Sequence, residues 1–262
     1  MYEAFYEKLP DPGVYLKRIG LENMPLDRTV ETLDQIIHAH LTHIPFENLD
    51  AWAGDKAPEL GIPALFDKIV LHRRGGWCFE LNALLHKLLE ALGFEVYSVG
   101  ARVTMGRSYF PAVSHHGVVC VLDGKKYYCD VGFGTLHFRS AVPMDGSVSP
   151  YGFRAVENGA YTEIWSCGEN AMRVLMFEDR PYEMVDFMFA NYTNAMKPNL
   201  PFKANLSASI MTEDGGRVQL ANYTLREFDA HGALLKEATI DGKAALQEVL
   251  RERLFLDYHF SE

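Results

Sequence analysis

Between Leu26 and Ile44 the apolar positions Val30, Leu33, Ile36, Ile37, Leu41 and Ile44 recur every three or four residues, the spacing of one helix face. Asp27 is placed to cap this helix and Pro45 to end it. A shorter helix is predicted from Pro63 to Val70. A third follows Cys78, with Leu81, Leu84, Leu85, Leu88, Leu89 and Leu92 on its apolar stripe and Gly93 as the stop. Beyond residue 95 the period changes. Glu95–Val103 reads as a strand, and Val118–Leu122 and Lys125–Asp130 flank Asp123-Gly124, a two-residue type I′ hairpin signal. Asn158-Gly159 joins Phe153–Glu157 to Ala160–Trp165 in the same manner, and Met172–Phe177 is a further strand. A short helix is predicted over Tyr182–Ala190, and the Asn- and Pro-rich stretch 191–201 reads as a loop or linker. The last part alternates strands (206–211, 217–220, 223–228, 234–239) and closes on a helix over Ala244–Phe255. Helices first and strands afterwards make the chain α+β.

The 262 residues suffice for one large domain or two to three modest ones. Their 48% hydrophobic and 23% charged content is ordinary for a soluble globular protein. A net charge of −10 argues against nucleic acid or an anionic membrane as partner, because both need a basic patch. The first residues carry neither a basic nor an apolar leader segment, and no apolar run reaches the ~18 residues of a membrane span. A cytoplasmic location is therefore expected, with its four cysteines reduced. The absence of a CxxC pair argues against a structural zinc site, and no metal is expected. His38, His40 and His43 fall at offsets that scatter them around a helix, so they read as core-edge or solvated residues rather than metal ligands.

Cys78 stands apart from the other cysteines. It follows Gly75-Gly76-Trp77 and opens a helix. Unpaired N–H groups and the helix dipole favour a thiolate at such a position. A thiolate is both nucleophile and leaving group, which suits acyl transfer. Cys120, Cys129 and Cys167 lack this context and read as core thiols or bystanders. The Asp123-Gly124 hairpin then selects a histidine. With a two-residue turn Leu122 faces Lys125, so Asp130 falls opposite Gly117. His115, two residues on, shares the face of Asp130 as a diagonal neighbour, whereas His116 points to the other face together with Cys120 and Cys129. The residues alone leave two readings open: a base with its orienting carboxylate, or a strand-end histidine and a turn aspartate.

Several motifs, in order along nearly the whole chain, resemble the arylamine N-acetyltransferase family. They are Tyr15–Gly20 (YLKRIG), Ile44–Asp50 (IPFENLD), Arg74–Asn82 (RGGWCFELN), Leu92-Gly93-Phe94, His115 and Asp130–Gly134 (DVGFG). The resemblance implies an N-terminal helical bundle, a central antiparallel β-barrel and a C-terminal α/β lid, here divided as residues 1–95, 96–204 and 205–262. It implies a cysteine-protease-like triad matching Cys78, His115 and Asp130, with acetyl-CoA as acyl donor substrate rather than a permanently bound cofactor. The acceptor it implies is an arylamine, arylhydroxylamine or hydrazine, in an aromatic pocket that Phe133 matches. Phe46, Trp77 and Arg107 are added as substrate-binding candidates from neighbouring positions. An ion pair between Glu47 and Arg74 is expected to brace the helix start. Competing classes are an amide synthase of polyketide release and a papain- or transglutaminase-like hydrolase.

Overall fold

The computed structural model describes residues 2–25, 27–134 and 136–260. Helices gather in the first part: α1 (Pro12–Arg18), α2 (Val30–His43), α3 (Leu49–Ala53), α4 (Ile62–Leu65), which runs on as a π-helical stretch over Phe66–Leu71, and α5 (Cys78–Ala91). A two-residue strand, β1 (Phe46–Glu47), interrupts them. Helix α2 is built as its apolar stripe requires, with Leu33, Ile36, Ile37 and Leu41 buried. Its cap is Thr29 rather than Asp27: the helix starts at Val30, and the Thr29 side chain accepts the Thr32 N–H at 3.2 Å. Leu26, the expected first residue of this run, lies outside the described residues.

Seven antiparallel strands follow: β2 (Glu95–Val103), β3 (His115–Leu122), β4 (Lys125–Cys129), β5 (Val142–Pro143), β6 (Phe153–Asn158), β7 (Tyr161–Ser166) and β8 (Arg173–Phe177). They form one sheet in the order β5-β4-β3-β2-β8-β7-β6. Its ends, β5 and β6, come back against each other, so the barrel is nearly closed. The β3–β4 hairpin has the expected register, Leu122 against Lys125, with positive φ at Asp123 and Gly124. The β6–β7 turn is shifted by one residue. Asn158 pairs with Tyr161, leaving Gly159-Ala160 as the loop, because the turn takes Gly at its first central position with φ +62°.

Side chains alternate across this sheet. Val99, Val119, Tyr128, Phe138, Phe153, Ile164 and Phe177 fill the barrel. Val118, Cys120 and Cys129 point outward into a core shared with α5 and the other helices. The stretch expected as a loop or linker is helical up to the end of α6 (Met188–Met196); only residues 197–200 form a turn, before α7 (Pro201–Ala204). Asn191 explains the difference. It is buried, accepting the Trp77 indole N–H at 3.1 Å and donating to Pro58 O at 2.9 Å, so it serves a tertiary contact rather than a turn.

The remaining strands, β9 (Ser207–Met211), β10 (Arg217–Ala221), β11 (Thr224–Phe228) and β12 (Leu234–Thr239), pair antiparallel, and α8 (Gly242–Leu254) covers them through Leu246, Leu250 and Leu254. The fifth strand of this sheet is β1, which pairs with β9 through Phe46–Ser209 and Glu47–Ala208. Among the described residues no helix is long and apolar enough to cross a membrane.

Candidate active site

Cys78 is the first residue of α5 and is buried. The turn before it is fixed by backbone pairing to β1: the Glu47 N–H donates to Gly76 O at 2.8 Å. From the other side Gly132 presses close. A Cβ there would lie 2.6 Å from Cys78 Cα, so only glycine lets the loop after β4 reach the helix start. The Cys78 thiol lies 4.0 Å from the Ser114 carbonyl.

His115 opens β3 and Asp130 directly follows β4. His115 Nε2 lies 2.6 Å from Asp130 Oδ2, and both residues are buried. The Cys78 side chain is close enough to the same imidazole to act on its charge. Burial disfavours the charged ring, but the Asp130 carboxylate and Cys78 outweigh it, and the His115 pKa is pushed up to about 10. Burial also penalises the Asp130 carboxylate. Its donors prevail and hold its pKa below the usual carboxylate value. Oδ2 accepts from His115 and from the Tyr128 hydroxyl at 2.8 Å, and Oδ1 accepts from Asn82 Nδ2 and the Gly132 N–H, each at 2.8 Å.

His116 takes the opposite face. Its Nε2 meets Ser98 Oγ at 2.8 Å and its ring stacks on Phe187 at 4.1 Å. Burial and the neighbouring His86 and His115 push its pKa well down.

Cys78 and His115 open into one cavity of about 700 Å³. Its walls are largely aromatic: Phe46, Phe133, Phe187 and Phe202, with Tyr109 and Phe189 toward the exterior. Phe133 packs edge-on against the His115 ring at 5.3 Å.

The N-acetyltransferase family profile matches residues 29–261. The chain is 34% identical over 228 residues to the arylamine N-acetyltransferase of Mycolicibacterium smegmatis, covering 82% of this chain and 80% of that one. The solved arylamine N-acetyltransferase from Salmonella typhimurium superimposes with a TM-score of 0.88 at 25% identity, over 96% of this chain and 93% of that one. The Mycobacterium marinum arylamine N-acetyltransferase solved in complex with CoA superimposes at 0.84, also at 25% identity, over 94% and 93% of the two chains. This chain belongs to the arylamine N-acetyltransferase family.

The acetyltransferase fold places the remaining sequence candidates unequally. Phe46, Phe133 and Arg107 line the cavity. Trp77 does not. It is 1% exposed, wedged edge-on between Phe79 and Phe202 with its N–H bound to Asn191, because the residue before a helix-start nucleophile turns inward when that nucleophile faces the cleft. Asn82 and Tyr128 received no role from the sequence, although both were signalled by spacing. Asn82 follows Cys78 by four residues on one helix face, and Tyr128 precedes Asp130 by two on one strand face. Asn82 is a clamp: its amide donates to Asp130 and to His116 O at 2.6 Å, and its oxygen accepts the Val131 N–H at 2.9 Å. His40, from the helix that carries three histidines, is buried in the core and bound to the Tyr15 hydroxyl at 2.9 Å.

Behind Cys78 lies a half-buried charge cluster. Arg74 meets Glu47 at 2.6 Å and Asp50 at 2.9 Å, and Lys68 meets Asp50 and Glu80, each at 2.7 Å. Glu47 also accepts the Leu49 N–H, and Arg74 lies over the Tyr258 ring at 4.8 Å. Glu80 accepts the Trp77 N–H at 3.1 Å, capping α5 from inside; burial raises its pKa to about 7 despite Lys68. Arg74→Met leaves Glu47, 1% exposed, without its cation. The expected cost is about 3–5 kcal/mol, read as a clear fall in melting temperature, and a thermal transition coincident with the parent's would refute the bracing role.

Proposed function

We propose that this enzyme transfers an acetyl group from acetyl-CoA, through a thioester on Cys78, to an arylamine, arylhydroxylamine or hydrazine. The observation that carries the reading is the line Cys78–His115–Asp130 opening into a single aromatic-walled cavity. The CoA complex of the M. marinum relative supports a CoA thioester as donor, and the aromatic walls suit a planar aromatic acceptor. Phe46, Phe133 and Arg107 are assigned to substrate contact.

The chemistry is a double displacement. The Cys78 thiolate attacks the thioester carbonyl, and the tetrahedral adduct collapses by breaking the bond to CoA sulfur. His115, held as imidazolium by Asp130, hands its proton to the departing CoA thiolate. The acceptor nitrogen then attacks the acetyl carbon, its proton passes to His115, and Cys78 leaves as thiolate. One proton cycles through one imidazole, and no cofactor is consumed.

The test separates the half-reactions. Acetyl-CoA without acceptor releases one equivalent of free CoA and adds one acetyl group to Cys78, located by peptide mass spectrometry. Addition of an aniline then strips the acetyl group and yields the anilide. Release of free acetate at the same rate without the aniline would instead make the protein a hydrolase, and an adduct on another residue would end the proposal.

A further inference from the structure

Asp130 is supplied with more donors than orienting a histidine requires. Asn82, the Gly132 N–H and His115 already occupy three of about four lone-pair directions, and these three suffice to fix the carboxylate toward the histidine. The Tyr128 hydroxyl adds a fourth bond, on the same oxygen that receives His115. We infer that the Tyr128 hydroxyl, admitted by the absence of a side chain at Gly117, is a positioning residue that divides Asp130 Oδ2 between two donors and thereby sets how firmly His115 holds its proton. The inference rests on the catalytic reading of the triad given above.

Geometry carries it first. Tyr128 is fully buried in the barrel, stacked on Phe177 at 5.3 Å and edge-on to Phe138 at 5.6 Å. A phenylalanine would make the same ring contacts, so packing does not account for the hydroxyl. Gly117 lies across the hairpin, where a Cβ would fall 2.5 Å from Tyr128 Cε2 and 2.7 Å from its hydroxyl oxygen. The backbone of Gly117 is not in the left-handed region, so glycine serves space there, not conformation. A bare Gly117 opposite Asp130 leaves a gap on that strand face. The structure fills that gap with the tyrosine ring.

The electrostatic consequence has a definite sign. An O–H donated to Oδ2 withdraws negative charge from the oxygen facing His115 and stabilises the ionised carboxylate, which weakens its hold on the imidazolium. Without the hydroxyl, Oδ2 becomes a stronger acceptor and the imidazolium is retained to higher pH. For an enzyme whose histidine must both give and take a proton, an over-stabilised imidazolium is a poor base at neutral pH. The titratable groups coupled electrostatically to this pair are Cys78 from α5, Tyr128 from β4 and His137 from the loop beyond Asp130, with His116 and Cys129 acting from the opposite strand face. Tyr128 itself stays protonated, since burial and the adjacent carboxylate raise its pKa well above normal.

The experiment is an NMR titration of ¹³C-histidine-labelled protein in a Cys78→Ala background, where the coupled thiol is gone. Tyr128→Phe is expected to move the His115 midpoint upward by roughly one pH unit, with its ring packing kept. Gly117→Ala, which displaces the ring without touching the phenol, is expected to move it in the same direction. Tyr127→Phe, on the opposite strand face, is expected to leave it in place. A midpoint in Tyr128→Phe that coincides with the parent's, or lies below it, overturns the inference. Failure of the underlying reading has a different signature: full turnover of His115→Gln with acetyl-CoA and an aniline, whatever the titration gives.

Discussion

Cys78→Ala is expected to abolish acetyl transfer, lowering turnover by at least about 10⁴-fold, and to yield no acetyl adduct. The size follows from what the residue supplies. Without the thiol that borders both His115 and the cavity, the pocket can bind substrates but must rely on direct attack by a weakly basic aromatic amine. The same substitution at Cys120, Cys129 or Cys167 keeps both adduct and turnover. Cys120 and Cys129 are buried in the core facing α5, with thiol pKa values raised by burial, and Cys167 is exposed and outside the cavity lining. Turnover is read with acetyl-CoA and an aniline. Parent-like activity in Cys78→Ala would falsify the thioester route.

Asp130→Asn and His115→Gln are expected to be nearly equal in damage, and His116→Gln far milder. An amide at position 130 keeps the size of the carboxylate but cannot stabilise an imidazolium, and it can favour the wrong tautomer. The expected loss in turnover is about 10⁴-fold. His115→Gln removes the proton carrier itself and nearly abolishes iodoacetamide alkylation of Cys78 near neutral pH, because the thiolate loses its counter-ion. His116 touches Ser98 and Phe187, not Cys78 or Asp130, so its replacement alters packing while leaving turnover of the same order. The pH dependence follows in sign. The His115 pKa is raised to about 10, so the imidazolium is present below that value and is lost as pH rises through it. The part of the alkylation rate that depends on His115, read as the difference between the parent and His115→Gln, should therefore fade as pH rises through that value. A silent His116→Gln beside an active His115→Gln would reverse the assignment of the two rings.

Much of this was legible before any coordinates. A two-residue turn fixes strand register, register fixes parity, and parity separated His115 from His116 without knowledge of what lay around them. Helix α5 and the position of Cys78 at its start were equally plain, because a leucine stripe and a glycine pair are local signals. What failed was local inference about distant contacts. Trp77 borders Cys78 in sequence yet faces Asn191, more than a hundred residues away. The Asn-rich stretch read as a linker because polar residues usually mark loops, whereas Asn191 is buried between Trp77 and Pro58. Strand β1 is only two residues long and takes its identity from β9, so no periodicity could announce it.

That pairing has a consequence for how the molecule is made. Asn48 donates to Phe202 O at 2.7 Å and Asn205 O at 2.8 Å and accepts the Ser207 N–H at 2.7 Å, while Glu47 holds both Arg74 and the turn before the nucleophile. A ribosome delivers Cys78, His115 and Asp130 well before it delivers Ser207–Met211. A nascent chain stopped short of β9 therefore carries all three reactive side chains on a scaffold whose β1 edge is unpaired. Activity should switch on late in synthesis, when the chain's last fifth closes over the segment that braces its first part.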